Sequence, residues 1–389
     1  MPRSVELFAG GGGMARGMRD AGFGHEQLVE REPRPVHVLR ANAARNPWLW
    51  KDESIVEADI LDWLEDIENL DLDDVDLVAG GPPCQPFSIS GAHAGHNDQR
   101  NMFPSAIETV RRLRPKLFVF ENVPGLLRPS FLPYYNYISD QLAIPEVTPR
   151  DGESWIEHHV RIQHAHSDGL RYHVYRQIVN AADLGVGQER KRVFLVGIRW
   201  DVRGSDSWPK IVPTHSRDSL LRAQWITGEY WERHGLAPER ESPARLANRI
   251  SALRQEELES SSLPSWRTTR EVLLDLPAPI DNEEHPKFLN HRGIPGARTY
   301  KGHTGGLFDW PAKTLKAGVH GVCGGEAMIR FRDGSLRYLT IRESARVQSF
   351  PDDYEIPGTR TAAMRALGNA VAVDVAATIG SALRAHTGL

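Results

Sequence analysis

The segment Gly80-Gly81-Pro82-Pro83-Cys84-Gln85-Pro86-Phe87-Ser88 puts a thiol on a loop rather than among the apolar residues of a strand. Before it, Asp76-Leu77-Val78-Ala79 reads as a strand. Two glycines then end the run and two prolines stiffen the chain. Reactive side chains are presented from such positions. A cysteine attacks as thiolate, so it needs a positive charge or dipole nearby. Phe118-Val119-Phe120-Glu121 ends a strand-like run in a carboxyl group, a candidate general acid. Gln188-Glu189-Arg190-Lys191-Arg192 precedes another such run, and alternation puts Arg190 and Arg192 on one face. They could supply charge near the thiolate and bind a carbonyl oxygen. The second cysteine, Cys323, stands before Gly324-Gly325 and reads as a turn residue. Two thiols in 389 residues make neither a disulfide framework nor a zinc site.

A second set of residues suits a small ligand. Phe8-Ala9-Gly10-Gly11-Gly12-Gly13 lies between a strand-like and a helical pattern. Glycines there let the backbone approach a ligand at a helix N-terminus. A dinucleotide site usually reads G-x-G-x-x-G; here the spacing also allows a nucleoside with no pyrophosphate. Glu30 follows at the distance, about 20 residues, where an acid commonly grips ribose hydroxyls. Asp59 closes a third strand and could accept from an adenine amino group. Taken singly, each reads as a surface acid. Together with the glycines they outline an adenosine pocket.

These residues need a scaffold that brings strand ends together. Short apolar runs at 5–9, 27–30, 54–58, 75–79, 117–121 and 192–197 alternate with helical patterns. That alternation predicts an α/β fold with a doubly wound, mostly parallel sheet. Ligands then sit beyond the carboxyl ends of the strands, where Gly10, Glu30, Asp59, Cys84 and Glu121 fall. From about 201 to 335 the alternation fades and Trp, Pro, Gly and Arg recur, which predicts a second, smaller, irregular domain. An Ala-rich helical stretch at 361–383, broken by Gly368-Asn369, follows. The expected division is 1–200, completed by 336–389, against 201–335. Residues 145–168 look like an insertion carrying His158, His159, His164 and His166. A metal is conceivable there, but no cysteine or ordered spacing supports one, so a solvated polar loop is expected.

Charge and composition fit a cytosolic enzyme. No apolar run approaches the roughly 18–20 residues of a membrane span. The net charge of −4 hides a split: residues 1–79 hold 17 acids and 8 bases, and the rest 34 acids and 39 bases. The basic part could face phosphates. Of 47 basic residues 39 are Arg, the better fork for phosphate and guanine edges, although a GC-rich coding bias explains such an excess equally well.

Taken in order, FAGGGG, Glu30, Asp59, GGPPCQPFS, ENV (121–123) and QERKR form a series. Arg337-Tyr338-Leu339-Thr340-Ile341-Arg342-Glu343 continues it, then Ala345-Arg346-Val347-Gln348-Ser349-Phe350-Pro351 and Gly368-Asn369-Ala370-Val371. With these motifs the chain resembles the cytosine-5 DNA methyltransferases, of the bacterial and archaeal modification type, over nearly its whole length. The resemblance implies a Rossmann-like fold that binds S-adenosylmethionine and releases S-adenosylhomocysteine, with 201–335 as the target-recognition domain. It places Phe8 on the adenine and Ala9, Gly10, Gly12 and Gly13 near the methionine part. Glu30 would hold the ribose and Asp59 the adenine amino group, with Ile60 beside it. Gly81, Pro83 and Phe103 would line the same pocket. Asn369 and Ala370 would return to close it, so the C-terminal helix should pack on the N-terminal domain. Arg31 stands where an adenine-stacking aromatic or aliphatic residue is common; a guanidinium can also stack. Gly187 and Ala372 stand where prolines are usual, which should change loop stiffness more than chemistry.

The implied reaction begins with attack of Cys84 on C6 of cytosine, which makes C5 enamine-like. Glu121 would protonate N3, so it must hold or share a proton with the base. Arg192 would bind O2 and Arg190 would orient the cysteine loop. The base must first flip out of the duplex. Residues 85–95 look like a mobile loop hinged at Gly91 and Gly95, with Gln85, Ser88 and Ser90 facing DNA and Ser90 entering the vacated space. Arg292, Arg298, Lys313 and Lys316 are candidate base readers, although taken singly each reads more readily as a phosphate contact or surface charge. The turn at 318–325 could approach DNA closely. Double-stranded DNA is the expected partner, with a restriction endonuclease or a phage-defence complex beside it, and no metal. The chain is expected to act as a cytoplasmic, nucleoid-associated monomer. Two other readings stand: an RNA methyltransferase of the same fold, though Cys323 lacks the Cys-Phe-Thr context of the tRNA-methylating branch, and an inactive cofactor-binding DNA reader, though Cys84, Glu121, Arg190 and Arg192 are all present.

Overall fold

The structure, a computed structural model of the chain, describes residues 1–83, 101–165, 168–256, 263–299, 303–317 and 327–389. The first half alternates as β1 (Arg3–Leu7), α1 (Gly13–Asp20), β2 (Gly24–Glu30), α2 (Pro33–Arg45), β3 (Ile55–Glu57), α3 (Ile60–Asp66), β4 (Leu77–Gly80), α4 (Phe103–Leu113) and β5 (Leu117–Asn122). Helices α5 (Leu132–Ala143) and α6 (Trp155–His164) lead to β6 (Tyr172–Asn180) and β7 (Lys191–Arg199). These strands make one sheet in the order β3-β2-β1-β4-β5-β7-β6. The first five strands run parallel and β7 runs antiparallel to both β5 and β6. Helices cover both faces, so β4 and β5 are buried along their whole length, and β5 is apolar up to Glu121 and Asn122 at its end.

Strand β6 is absent from the expected runs. It is an edge strand, and His173, Arg176 and Ile178 are exposed along it. A half-exposed strand carries no continuous apolar run to find. The expected polar loop at 145–168 is corrected as well. Its middle is α6, opened by a capping box in which Ser154 and Glu157 each satisfy the other's backbone. His158 is buried, with Nδ1 bonded to Tyr137 at 3.0 Å and Nε2 to Val147 O at 2.7 Å, and His159 pairs with Asp140 at 2.8 Å. These imidazoles dock α6 on α5. His166 lies outside the described residues.

Beyond the sheet come α7 (Arg217–Trp225), α8 (Glu229–Arg233), α9 (Ala244–Gln255) and α10 (Thr269–Leu273), then a small sheet of β8 (Gly306–Leu307), β9 (Met328–Arg330) and β10 (Leu336–Tyr338). The tryptophans of this region form its core. Trp231, Trp266 and Trp310 are buried together with Leu220, Tyr230, Leu246 and Ile250. The chain ends in α11 (Ile341–Arg346), α12 (Arg360–Asn369) and α13 (Val373–Thr387). Helix α13 lies on α1 so closely that a Cβ on Gly17 would fall 2.4 Å from Val373 O and 2.5 Å from Ala376 Cβ. The stretch Arg360–Thr387 has the length and composition of a membrane span, which the reading of apolar runs did not anticipate. Most of it is buried in this core as α12 and α13.

Candidate active site

The glycine turn is built where β1 meets the end of β2. Phe8, Gly10 and Gly12 all have positive φ, at 55°, 54° and 76°. Ala9 N–H donates to Val29 O at 3.1 Å and Gly12 N–H to Ala9 O at 3.0 Å. Gly12 is then the N-cap of α1. Glu30 reaches over the turn. One of its oxygens accepts from Gly10 N–H and the other from Glu32 N–H, both at 2.8 Å. Burial pushes its carboxyl group up, against the pull of these amides. Asp59 caps α3 by accepting from Leu61 N–H at 3.0 Å and pairs with Arg31 at 3.1 Å. That amide first, and the guanidinium with it, hold Asp59 below the usual carboxylate range.

Apolar residues complete this pocket. Phe8 packs on a cluster containing Ile60 and Phe103. From the far end of the chain, Ala370 and Val371 sit over the turn. A Cβ on Gly13 would fall 3.1 Å from Ala370 Cβ and 2.3 Å from Val371 O. Asn369, one residue earlier, is exposed. The structure therefore gathers Phe8 to Gly13, Glu30, Arg31, Asp59, Ile60, Phe103 and Ala370 at one sheet end. A Cβ on Gly10 would meet only Phe8 O, at 3.9 Å, so the outer face of the turn is open backbone. An open glycine cradle beside two acids fits an adenosyl group, since a carboxylate that accepts from an amide keeps lone pairs for hydroxyl and amino donors.

The adjacent strands carry the second set. Gly81 follows β4, and a Cβ there would lie 3.4 Å from Glu121 Oε2. Asn122 Nδ2 donates to Pro82 O at 3.0 Å and Met102 N–H donates to Pro83 O at 3.1 Å. The backbone is thus pinned twice just before Cys84. Asn122 was not among the expected functional residues; its place beside Glu121 at the end of β5 was the available signal. Glu121 is buried and its Oε1 is 2.6 Å from Arg192 Nε. Because β7 is antiparallel, its first residues reach the same sheet end as the last residues of β5. Cys84, Gln85, Ser88, Ser90, the hinge glycines 91 and 95, the turn 318–325 and Cys323 lie outside the described residues.

The expected contact of Arg190 with the cysteine loop falls on residues outside the described ones. Among the described residues its guanidinium does not meet the strap before Cys84. It is 2% exposed and donates to Leu315 O at 3.0 Å, Gly368 O at 2.9 Å and Ala370 O at 2.7 Å. Burial, with Arg192 close by, pushes its pKa down. The side chain ties β7, the segment 312–317 and the end of α12 into one joint. Gly368 lets that segment approach, as a Cβ there would fall 2.3 Å from Ala317 N. Lys313 and Lys316 therefore stand beside the catalytic sheet. Arg292 and Arg298 lie exposed on a separate segment at 291–299. Gly187 has a packing reason, not one of stiffness: a Cβ would fall 2.4 Å from Val272 Cγ2, so a larger residue would push α10 away. Ala372 is the buried N-cap of α13.

This sheet order and this site at its carboxyl ends define an α/β methyltransferase. The chain belongs to the C-5 cytosine-specific DNA methylase family, whose profile matches residues 3–143 and 156–385. It is a DNA cytosine-5 methyltransferase. The unmatched residues within the chain, 144–155, fall in the insertion that contains α6. The chain is 29% identical to the type II methyltransferase M.NgoMIV of Neisseria gonorrhoeae, over 97% of this chain and 95% of that protein. It is 30% identical to M.PspPI of a Psychrobacter species, over 97% and 78%. Among solved structures, a putative DNA modification methyltransferase from an E. coli prophage superposes with a TM-score of 0.55 at 19% identity, covering 100% of both chains. Dnmt2 of S. pombe superposes at 0.56 and 16%, over 99% of both chains. At these identities the structures speak for the fold.

Proposed function

We propose that the chain methylates C5 of a cytosine flipped out of a specific double-stranded DNA sequence, through a covalent bond between Cys84 and C6, with S-adenosylmethionine as donor. The observation that carries this reading is the convergence of three elements at one sheet end: buried Glu121, its partner Arg192 at 2.6 Å, and the doubly pinned strap of residues 81–83 that precedes Cys84. Cys84 adds to C6, and electron density moves toward C5. Glu121 meets N3 and holds the proton there; Arg192, already at Glu121, meets O2. S-adenosylmethionine bound at the glycine turn supplies an electrophilic methyl group, and S-adenosylhomocysteine is the product. A base, such as water, takes the C5 proton, the thiolate of Cys84 leaves C6, and N3 returns its proton to Glu121. Phe8, Glu30, Arg31, Asp59, Ile60, Phe103, Asn369 and Ala370 would hold the adenosyl part, and Gly81 and Pro83 the side nearest the base. Arg190 would keep the reading segment and the end of α12 in register with Arg192.

Residues 201–335 would read the DNA sequence, with Lys313 and Lys316 nearest the target and Arg292 and Arg298 further out, while Gln85, Ser88 and Ser90 would contact the flipped site. The relatives' type II naming supports a cognate restriction endonuclease as partner, and a DNA substrate fits a site of action on the nucleoid. Bisulfite sequencing of DNA from a host that expresses the protein tests the reading. One recurring sequence should hold protected cytosines, and Cys84→Ser should leave none. Host DNA without protected cytosines, despite soluble wild-type protein, would contradict it.

A further inference from the structure

We infer that Tyr354 is a positioning residue for the cofactor turn, and that its phenol sets the affinity for the adenosyl ligand. The inference rests on reading Gly10–Gly13 as the cofactor site. Successive glycines lose more conformational freedom on ordering than any other residues, and a left-handed glycine tolerates a flipped neighbouring peptide. Gly12 caps α1 in that left-handed conformation with no side-chain bond to hold it. The peptide between Gly11 and Gly12 is instead held from both ends. Gly12 N–H donates to Ala9 O at 3.0 Å, and the Tyr354 hydroxyl donates to Gly11 O at 2.8 Å. A flip of this peptide would break both bonds. The hydroxyl also occupies the space beside Gly12, where a Cβ would fall 2.3 Å from it.

Tyr354 can serve because it cannot move away. It is fully buried, its ring edge-on to Trp50 at 6.5 Å and tilted against Phe350 at 5.0 Å. Burial pushes the phenol up, so it remains a donor. Its backbone is clamped on three sides. Arg342, itself 0% exposed, donates to Pro351 O at 2.9 Å and to Tyr354 O at 2.7 Å, and its Nε donates to Leu289 O at 2.9 Å. Asn42 exchanges two hydrogen bonds with the backbone of Glu355, and Asn290 does the same with Ile356. A rigid segment, anchored partly in the reading region, thus presses one hydroxyl onto the turn.

Binding of S-adenosylhomocysteine to the full chain, by titration calorimetry, tests this with a matched control. Tyr172 makes the same kind of bond at the sheet edge, its buried hydroxyl donating to Pro115 O at 2.6 Å. Tyr354→Phe should raise the Kd for S-adenosylhomocysteine about tenfold, the effect of one lost net hydrogen bond. Its affinity for DNA and its single-turnover rate at saturating S-adenosylmethionine should stay within about twofold of wild type. Tyr172→Phe should lower the melting temperature comparably and leave the Kd unchanged. A Kd for Tyr354→Phe within about twofold of wild type, or an equal shift in Tyr172→Phe, would overturn the inference while leaving the cofactor site in place. No binding by the wild-type chain would overturn both.

Discussion

The turn end of the sheet and the region 201–335 are built by opposite means. At the turn, backbone meets backbone. Gly13 and Gly17 face carbonyl oxygens of Val371 and Val373 with no room for a methyl group, and α1 rests on buried uncharged groups such as His25, which meets Ala15 O at 2.8 Å. In 201–335, tryptophans fill the core, and arginines pair with acids around it. Arg270 meets Asp309 at 2.6 Å, and Arg332 stacks over Trp231 at 4.8 Å. The first design keeps one geometry for one small ligand. The second keeps a core while leaving its surface open to change, which suits the sequence reading proposed for it. Substitutions should therefore act on different quantities at the two places.

The largest effect belongs to the sheet end beside the turn. Glu121→Gln keeps a hydrogen-bonding group at N3 but cannot easily donate a proton. The single-turnover methylation rate should fall by about 10²–10⁴ while DNA affinity holds. An unchanged rate would remove Glu121 from the chemistry.

Gly12→Ala should break the turn itself. The added Cβ would sit at φ 76°, 2.3 Å from the Tyr354 hydroxyl and 2.9 Å from Leu39 Cδ2. Strain and overpacking together should cost about 2–3 kcal/mol in a urea melt. A loss below about 1 kcal/mol would mean that the turn is looser than its packing shows.

A pH effect of similar size should come from His25. Burial first, and Arg19 second, push its imidazole down from 6.5 to about 4, against the bond to Ala15 O. The unfolded chain takes up this proton first. The stabilisation is therefore complete above pH 6.5 and is lost as pH falls toward 4, by about 3 kcal/mol. Urea melts of wild type and His25→Asn across that window check it, and parallel curves would contradict it.

The smallest effect belongs to the region 201–335. Arg249 joins α7 and α9 by pairing with Asp218 at 2.6 Å and Glu256 at 2.8 Å, but each of the three side chains keeps a third or more of its surface in water. Arg249→Ala should cost no more than about 1 kcal/mol, and less in 1 M salt. A larger, salt-independent loss would erase the contrast between the two regions.

Much of the turn end was legible because its signals are local. Unbroken apolar runs mark the buried strands, and the reactive types stand just past their ends. Edge strand β6 was not legible, because exposed His173, Arg176 and Ile178 interrupt its pattern. Helix α6 carried a readable capping box, Ser154 to Glu157, within a stretch whose histidines suggested a loop. Contacts between distant segments left no trace in the residue pattern itself; only the family resemblance put the C-terminal helix on the N-terminal domain. Arg190 meets carbonyls 125 to 180 residues away, and Tyr354 meets Gly11 across 343 residues. No periodicity reports such pairs.

The central claim is that Cys84 bonds to C6 before the methyl group moves. A duplex carrying 5-fluorocytosine at the methylated position, with S-adenosylmethionine present, tests it directly. Attack and methyl transfer should both proceed, but fluorine cannot leave C5 as a cation, so the enzyme should remain bonded to DNA through denaturing electrophoresis. Peptide mapping should then find the adduct on Cys84. An adduct on Cys323, or a methylated product with no adduct, would contradict the account.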